Sequence, residues 1–333
     1  MSSTEFDENS SEEELVAYCA DAPASSFLRG SPYSIKVVKL GEYAVIKFGW
    51  LLDEKEAENQ RRAYELVDRR VVRVPRVLRF FVDSRDWGFL VMEYVDGKII
   101  DPLEDVTSIQ SVARVMSYFA TLRGQLPGPL SRGPCRGLLF PDTDDLCFDD
   151  AEEMESWFNT RIRRDNLTIS LRDCDLVLCH LDIAPRNILW QPDGSICLLD
   201  WTSAGFYPRL FEFGAQWIIE GFDGNFNKLL LNAMEPLSEH EMKQKSALMF
   251  YWRNIQRFHF APTKYTKVPK EIALGDVKEA PKAPKVRAPV PPMPPYPAEW
   301  LELFKFQHRE DPELVELVTR QQLKAQQASL NSS

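Results

Sequence analysis

Strand-like apolar runs occupy much of the first hundred positions of the chain. Ser34-Ile35-Lys36-Val37-Val38-Lys39 alternates polar and apolar side chains, and Tyr43-Ala44-Val45-Ile46-Lys47-Phe48-Gly49 returns after a Gly41-Glu42 turn. Residues 74–82 and 88–94 form a second pair of strands around the turn residues DSRDW. Between the pairs, residues 53–67 (DEKEAENQRRAYELV) carry dense charge, a few apolar positions and no breaker, which predicts a helix. Leu15 to Ala20 begins a shorter one.

Further along, the spacing becomes helical. Apolar residues at 109, 112, 113, 115, 116, 119 and 122 form one stripe within 107–126. Met154, Trp157, Phe158 and Ile162 mark a helix after Asp149-Asp150, and 209–221 reads as a buried helix containing Glu212. Ser238 with Glu241 makes a capping box that opens a helix to about Phe260. Residues 124–141, rich in Gly and Pro, and 202–207 read as loops.

The chemistry concentrates in one stretch, Asp175 to Trp201: DLVLCHLDIAPRNILWQPDGSICLLDW. It reads as a strand, a polar loop and a hairpin, the last closed by Gln191-Pro192-Asp193-Gly194, where Pro presets φ and Gly permits φ > 0. A hairpin of this length brings Asn187, at the mouth of one strand, near Asp200, at the end of the other. One amide oxygen and one carboxylate suit a hard cation such as Mg²⁺, which prefers oxygen and keeps phosphates in its shell. Asp182 stays in the loop, five residues before Asn187, able to accept a proton. H-x-D-x-x-x-x-N followed by an apolar hairpin and Asp is the arrangement of phosphoryl transfer in protein kinases. Singly, Asp182 and Asn187 would be ordinary turn residues; the ordered set bounded by strands favours the motif. Lys47, among apolar neighbours, should point at a carboxylate or phosphate, because Lys is seldom buried alone. Glu56 and Glu58 on the following helix are its candidate partners.

Composition narrows the class. Apolar content of 44% and charged content of 27% over 333 residues are those of a soluble globular chain long enough for two lobes. The net charge of −10 argues against nucleic acid as main partner. Six scattered cysteines, without C-x-x-C or a histidine cluster, suggest reduced thiols in a cytoplasmic setting. The acidic start, MSSTEFDENSSEEE, is no signal peptide, and no apolar run is long enough to span a membrane. Residues 1–14 are expected to form a disordered acidic tail. Residues 261–297 hold ten prolines and seven Lys or Arg against three acids, an extended basic linker that could meet a protein partner. Residues 298–333 read as one or two helices broken near Asp311-Pro312.

In order along the chain, V-I-K-F-G, E-A, V-P-R-V, G-F-L-V-M-E-Y-V-D-G, G-P-C-R, H-L-D-I-A-P-R-N-I-L and L-L-D-W resemble the aminoglycoside phosphotransferase/choline kinase-like family, above all a large fungal branch of it. The resemblance spans roughly residues 27–260 and is most specific in the central stretch. It implies an α+β, bilobal protein-kinase-like fold. A five-stranded antiparallel sheet with a helix would form the nucleotide-binding small lobe (15–95), and a mainly helical large lobe (96–260) would carry the chemistry. It further implies ATP and Mg²⁺ as cofactors. Lys47 would hold the α/β phosphates and pair with Glu56; Gly30 and Ser31 would cover the phosphates. The linker backbone at Glu93 and Tyr94 would meet adenine. Asp182 would be the catalytic base, Asn187 and Asp200 the catalytic metal ligands, and His180 would orient the loop. Three positions depart from the pattern: no G-x-G-x-x-G precedes Lys47, the usual H-G-D is H-L-D at Leu181, and Thr202 stands where Glu is frequent.

The expected activity is transfer of the γ-phosphate of ATP to a hydroxyl of a small molecule. The small-molecule preference follows from the family likeness, since D-F-G, A-P-E and an activation loop are lacking. A pseudokinase scaffold acting through the Pro-rich segment is the main alternative and a protein kinase the minor one. The intact set Lys47, Asp182, Asn187 and Asp200 favours the enzyme.

Overall fold

A computed structural model describes residues 10–29, 35–50, 52–141, 145–162, 167–172, 174–220 and 225–257. All belong to the first of two units into which the chain divides, Met1–Pro269. Residues 1–9, Gly30 and Ser31, the linker expected over 261–297 and the helices expected over 298–333 lie outside the described residues.

The small lobe contains α1 (Glu12–Asp21), β1 (Phe27–Arg29), β2 (Lys36–Leu40), β3 (Ala44–Gly49), α2 (Glu54–Leu66), β4 (Val77–Val82) and β5 (Gly88–Glu93). Its strands form one antiparallel sheet in the order β1-β2-β3-β5-β4. Alternation along β3 decides the site. Ala44, Ile46 and Phe48 turn toward Leu15 and Cys19 of α1, whereas Val45 packs with Leu52 and Ala57 on the α2 side. With a period of two, Lys47 joins Val45 on that side.

Helix α1 begins at Glu12, so the acidic tail expected through residue 14 ends earlier. Ser11 Oγ accepts the Glu14 N–H at 3.2 Å, and Ser11 N–H donates to the Glu14 carboxylate at 2.8 Å. Glu12, Glu13 and Glu14 therefore occupy a first turn, where the helix dipole favours negative charge. An acidic run that composition assigns to a tail is the start of a helix.

The large lobe contains β6 (Lys98–Ile99), α3 (Val106–Phe119), β7 (Gly128–Pro129), α4 (Ala151–Ile162), β8 (Leu176–Cys179), β9 (Ile188–Trp190), β10 (Ile196–Leu198), β11 (Gly205–Pro208), α5 (Leu210–Ile218), α6 (Phe226–Ala233) and α7 (Glu239–Arg257). One core joins α4, α5 and α7 through Trp157, Phe158, Phe211 and Tyr251, with Phe158 edge-on to Tyr251 at 4.5 Å. A second core lies under the β9–β10 hairpin, where Ile188, Leu198 and Trp201 meet α3 and α6. Among the described residues no helix is long and apolar enough to cross a membrane.

Two predicted loops contain strands. β11 pairs with β8 from Gly205↔Cys179 to Pro208↔Leu176, and β7 pairs with β11 within the Gly/Pro-rich stretch. Their partners are distant in sequence and their residues are Gly, Pro and aromatics, so no local periodicity announces them. A Cβ on Gly205 would stand 2.4 Å from the Gly128 carbonyl oxygen, so the close approach of β7 and β11 requires glycine there.

Candidate active site

Strand β3 carries Lys47 to a carboxylate on α2: Nζ lies 2.5 Å from Glu56 Oε1 and 3.4 Å from Asp200 Oδ1. Glu58 pairs instead with Lys55 at 3.0 Å. Burial works against the Lys47 ammonium, but Glu56 and Asp200 outweigh it and raise its pKa above the ordinary lysine value. Burial pushes Glu56 upward against the pull of Lys47, whose ammonium lies 2.5 Å away.

Glu56 belongs to an unusual helix face. Glu56, Asn59, Gln60 and Ala63, at i, i+3, i+4 and i+7, are all buried. The inward stripe of α2 is therefore mostly polar, and hydrophobic periodicity misses it. Asn59 Nδ2 donates to the carbonyl of Ala204 at 2.8 Å, and Asn59 Oδ1 accepts the Ser131 N–H at 2.8 Å. Gln60 Nε2 donates to the Pro75 carbonyl at 2.8 Å. The bond to Ala204 fastens α2, and with it Glu56, to the segment that follows Asp200, while the other two tie the helix to Ser131 and Pro75.

The β9–β10 hairpin pairs Ile188 with Leu198 and Trp190 with Ile196. Beyond the last pair, Leu199 N–H donates to the Asn187 carbonyl at 2.9 Å, so Asp200 follows directly at the hairpin mouth. Asp200 adopts φ 63°, and Thr202 Oγ1 donates to its Oδ1 at 2.8 Å. Burial would raise the Asp200 carboxyl, but Lys47 and Thr202 hold it below the ordinary value. Thr202, one of the three departures from the family pattern, thus orients the acid two residues before it.

The loop between β8 and β9 wraps around Asp182. Asn187 Nδ2 donates to Asp182 Oδ2 at 2.7 Å and to the Asp182 carbonyl at 3.0 Å. Arg186 Nη2 reaches Asp182 Oδ1 at 2.5 Å. Asn187 Oδ1 is buried and has no hydrogen-bond partner among the described residues. Beneath the loop, buried Glu212 of α5 accepts the N–H of His180 at 2.8 Å and of Leu181 at 3.1 Å through Oε2. His180 is fully buried, edge-on to Trp201 at 4.8 Å, and burial lowers its pKa to about 4.

The interlobe linker leaves β5 at Glu93. Its carboxylate binds Arg73 at 2.5 Å, and Tyr94 N–H donates to the Tyr43 carbonyl at 2.8 Å. Of the linker backbone groups at Glu93 and Tyr94 expected to meet adenine, the Tyr94 N–H is therefore already engaged, by the residue just before β3. A Cβ on Gly97 would lie 2.7 Å from the Trp190 carbonyl oxygen, so glycine lets the linker cross the hairpin closely. Among the described residues no group of three or more His, Cys, Asp or Glu forms a metal cluster.

The family model described as the phosphotransferase enzyme family matches residues 45–242, from β3 into α7. The chain belongs to this family. A thermostable mutant of aminoglycoside phosphotransferase APH(4)-Ia, in ternary complex with ADP and hygromycin B, is similar at 15% identity and a TM-score of 0.50, over 74% of this chain and 90% of that one. The GDP and kanamycin complex of APH(2")-IIIa is similar at 11% identity and TM-score 0.44, over 94% and 98%. Choline kinase LicA from Streptococcus pneumoniae is similar at 16% identity and TM-score 0.39, over 75% and 94%. No curated protein sequence matches.

In this phosphotransferase the structure gathers Lys47, Glu56 and Asp200 into one ionic cluster, and Asp182 with Asn187 into one loop. Gly30 and Ser31 stay outside the described residues. Asn59, Arg186, Thr202 and Glu212 escaped the sequence reading as site residues. Thr202 alone stood out in the sequence, as a departure from the family pattern; the polar stripe Glu56–Asn59–Gln60 shows its burial only in the fold.

Proposed function

We propose that this phosphotransferase moves the γ-phosphoryl group of ATP, bound with Mg²⁺, to a hydroxyl of a small molecule. The observation that carries the reading is Asn187 Oδ1, a buried oxygen without a hydrogen-bond partner among the described residues, on the same hairpin mouth as the Asp200 carboxylate. Two protein oxygens are a sparse set for a dedicated metal cage. They suit Mg²⁺, which completes its shell with water and substrate phosphates. When bound, the ion would neutralise phosphate charge.

Lys47, steadied by Glu56, would hold non-bridging phosphate oxygens by charge-assisted hydrogen bonds. Asp182 would orient the acceptor hydroxyl and take its proton, and the Asn187 amide bond to Oδ2 would keep that carboxylate aimed. The Tyr94 amide being engaged, the Glu93 carbonyl and the Val95 N–H are the neighbouring linker groups for the adenine edge.

Thermal unfolding with ATP, with and without Mg²⁺, tests the reading. Stabilisation should appear with ATP–Mg²⁺ and fade in Lys47→Ala, because only the folded chain binds nucleotide. Mass detection of a phosphorylated product from a hydroxyl-metabolite library would identify the acceptor. A melting curve indifferent to millimolar ATP–Mg²⁺ would sink the proposal.

A further inference from the structure

The Asp182 carboxylate is held at both oxygens by consecutive residues of one short turn. Asn187 Nδ2 lies 2.7 Å from Oδ2, and Arg186 Nη2 lies 2.5 Å from Oδ1. The turn is the 3₁₀ segment Pro185–Asn187, with proline at its start. Both side chains that follow the proline turn back to Asp182. A carboxylate held at one oxygen can still swing about its last torsion, whereas one held at both has a fixed plane.

We propose that Arg186 is a positioning residue for Asp182, fixing the oxygen that Asn187 does not hold so that the carboxylate meets the acceptor hydroxyl at a set angle. This rests on Asp182 acting as base in the function proposed above. The bland alternative is a stabilising i,i+4 ion pair. Both side chains are partly exposed, Arg186 at 37% and Asp182 at 28%. An ion pair so placed contributes little to folding because water screens it. Proximity is different: misplacing a reacting group by about 1 Å can cost ~10²-fold in rate. A planar guanidinium also fixes direction where an ammonium supplies charge alone. Arg186→Lys should therefore recover only part of what Arg186→Gln loses.

The test uses the full chain and slow hydrolysis of ATP–Mg²⁺, with water as acceptor, beside unfolding without ligand. Arg186→Gln should lower kcat by ~10–10²-fold, with KM for ATP–Mg²⁺ within about twofold. Its melting temperature should stay within about 2 °C of wild type, as a weak surface pair requires. Arg186→Lys should fall between the two. Combined with Asp182→Asn, Arg186→Gln should add no further loss, since its effect passes through that carboxylate. An unchanged kcat, a KM that rises as kcat falls, or full additivity with Asp182→Asn would each overturn the role of Arg186. If Asp182→Asn itself hydrolysed ATP like wild type, the base assignment would fail first and the role of Arg186 with it.

Discussion

Glu212 Oε2 accepts the main-chain N–H of Leu181 at 3.1 Å where Leu181 takes a left-handed φ of 63°. The same oxygen receives the His180 N–H. The turn that presents Asp182 is thus held from below by a buried carboxylate on α5. Burial raises the pKa of that carboxylate, and the two backbone donors oppose the rise. Glu212→Leu removes the acceptor of two buried donors, each costing about 1–3 kcal/mol when unpaired. A loss of about 2–6 kcal/mol in urea unfolding is expected, and Glu212→Gln, which keeps one oxygen, should lose less.

Leu181 and exposed Asp86 share nearly the same positive φ, 63° and 61°. Glycine would relieve about 1–2 kcal/mol of left-handed strain at a non-glycine residue. At Leu181 that relief competes with removal of a fully buried leucine side chain, worth about 2–5 kcal/mol. Packing wins there: Leu181→Gly should destabilise, although glycine is the frequent family residue. Asp86→Gly should fall within about 1 kcal/mol of wild type. Equal effects of the two substitutions in denaturant melts would show that the leucine contacts contribute nothing.

His180 should give the stability curve an acid slope. Its pKa falls from 6.5 in the unfolded chain to about 4 in the fold, because burial disfavours the imidazolium. Between these values the unfolded chain binds a proton that the folded chain refuses. The stabilisation is complete above pH 6.5 and is lost as pH falls toward about 4, a change of about 3 kcal/mol. His180→Phe keeps a ring against Trp201 and should flatten that interval when unfolding is followed at several pH values. A slope unaltered by the substitution would mean that other groups produce it.

Asp182 and Asp200 should separate in binding and turnover. Asp182→Asn should leave ATP–Mg²⁺ affinity nearly intact while lowering turnover by ~10²–10⁴-fold, the span of a positioned base. Asp200→Asn should weaken Mg²⁺-dependent nucleotide binding as well, because Lys47 loses a carboxylate and the ion loses a charged ligand. Calorimetric titration with ATP–Mg²⁺ beside hydrolysis assays separates the two patterns. Identical behaviour of both variants would contradict the division of roles.

The reach of the sequence follows the range of the interactions involved. The apolar neighbours of Lys47 marked it as a lysine in need of a partner, and the Pro-Asp-Gly turn brought Asn187 near Asp200. Both effects are local in the chain, so Lys47, Asn187 and Asp200 were legible before any fold was known. The family motifs added the pairing of Lys47 with Glu56 over Glu58, and the structure has that contact. Strands β7 and β11 were not legible, because their hydrogen bonds reach residues far away in the chain and their Gly and Pro carry no period. Nor was the fastening of α2 by Asn59, since a polar stripe looks solvated until another element covers it. The support of Asp182 by Glu212 belongs with these. Whether a glutamate in an apolar run is buried against two main-chain donors depends on where α5 packs, and only tertiary structure decides that.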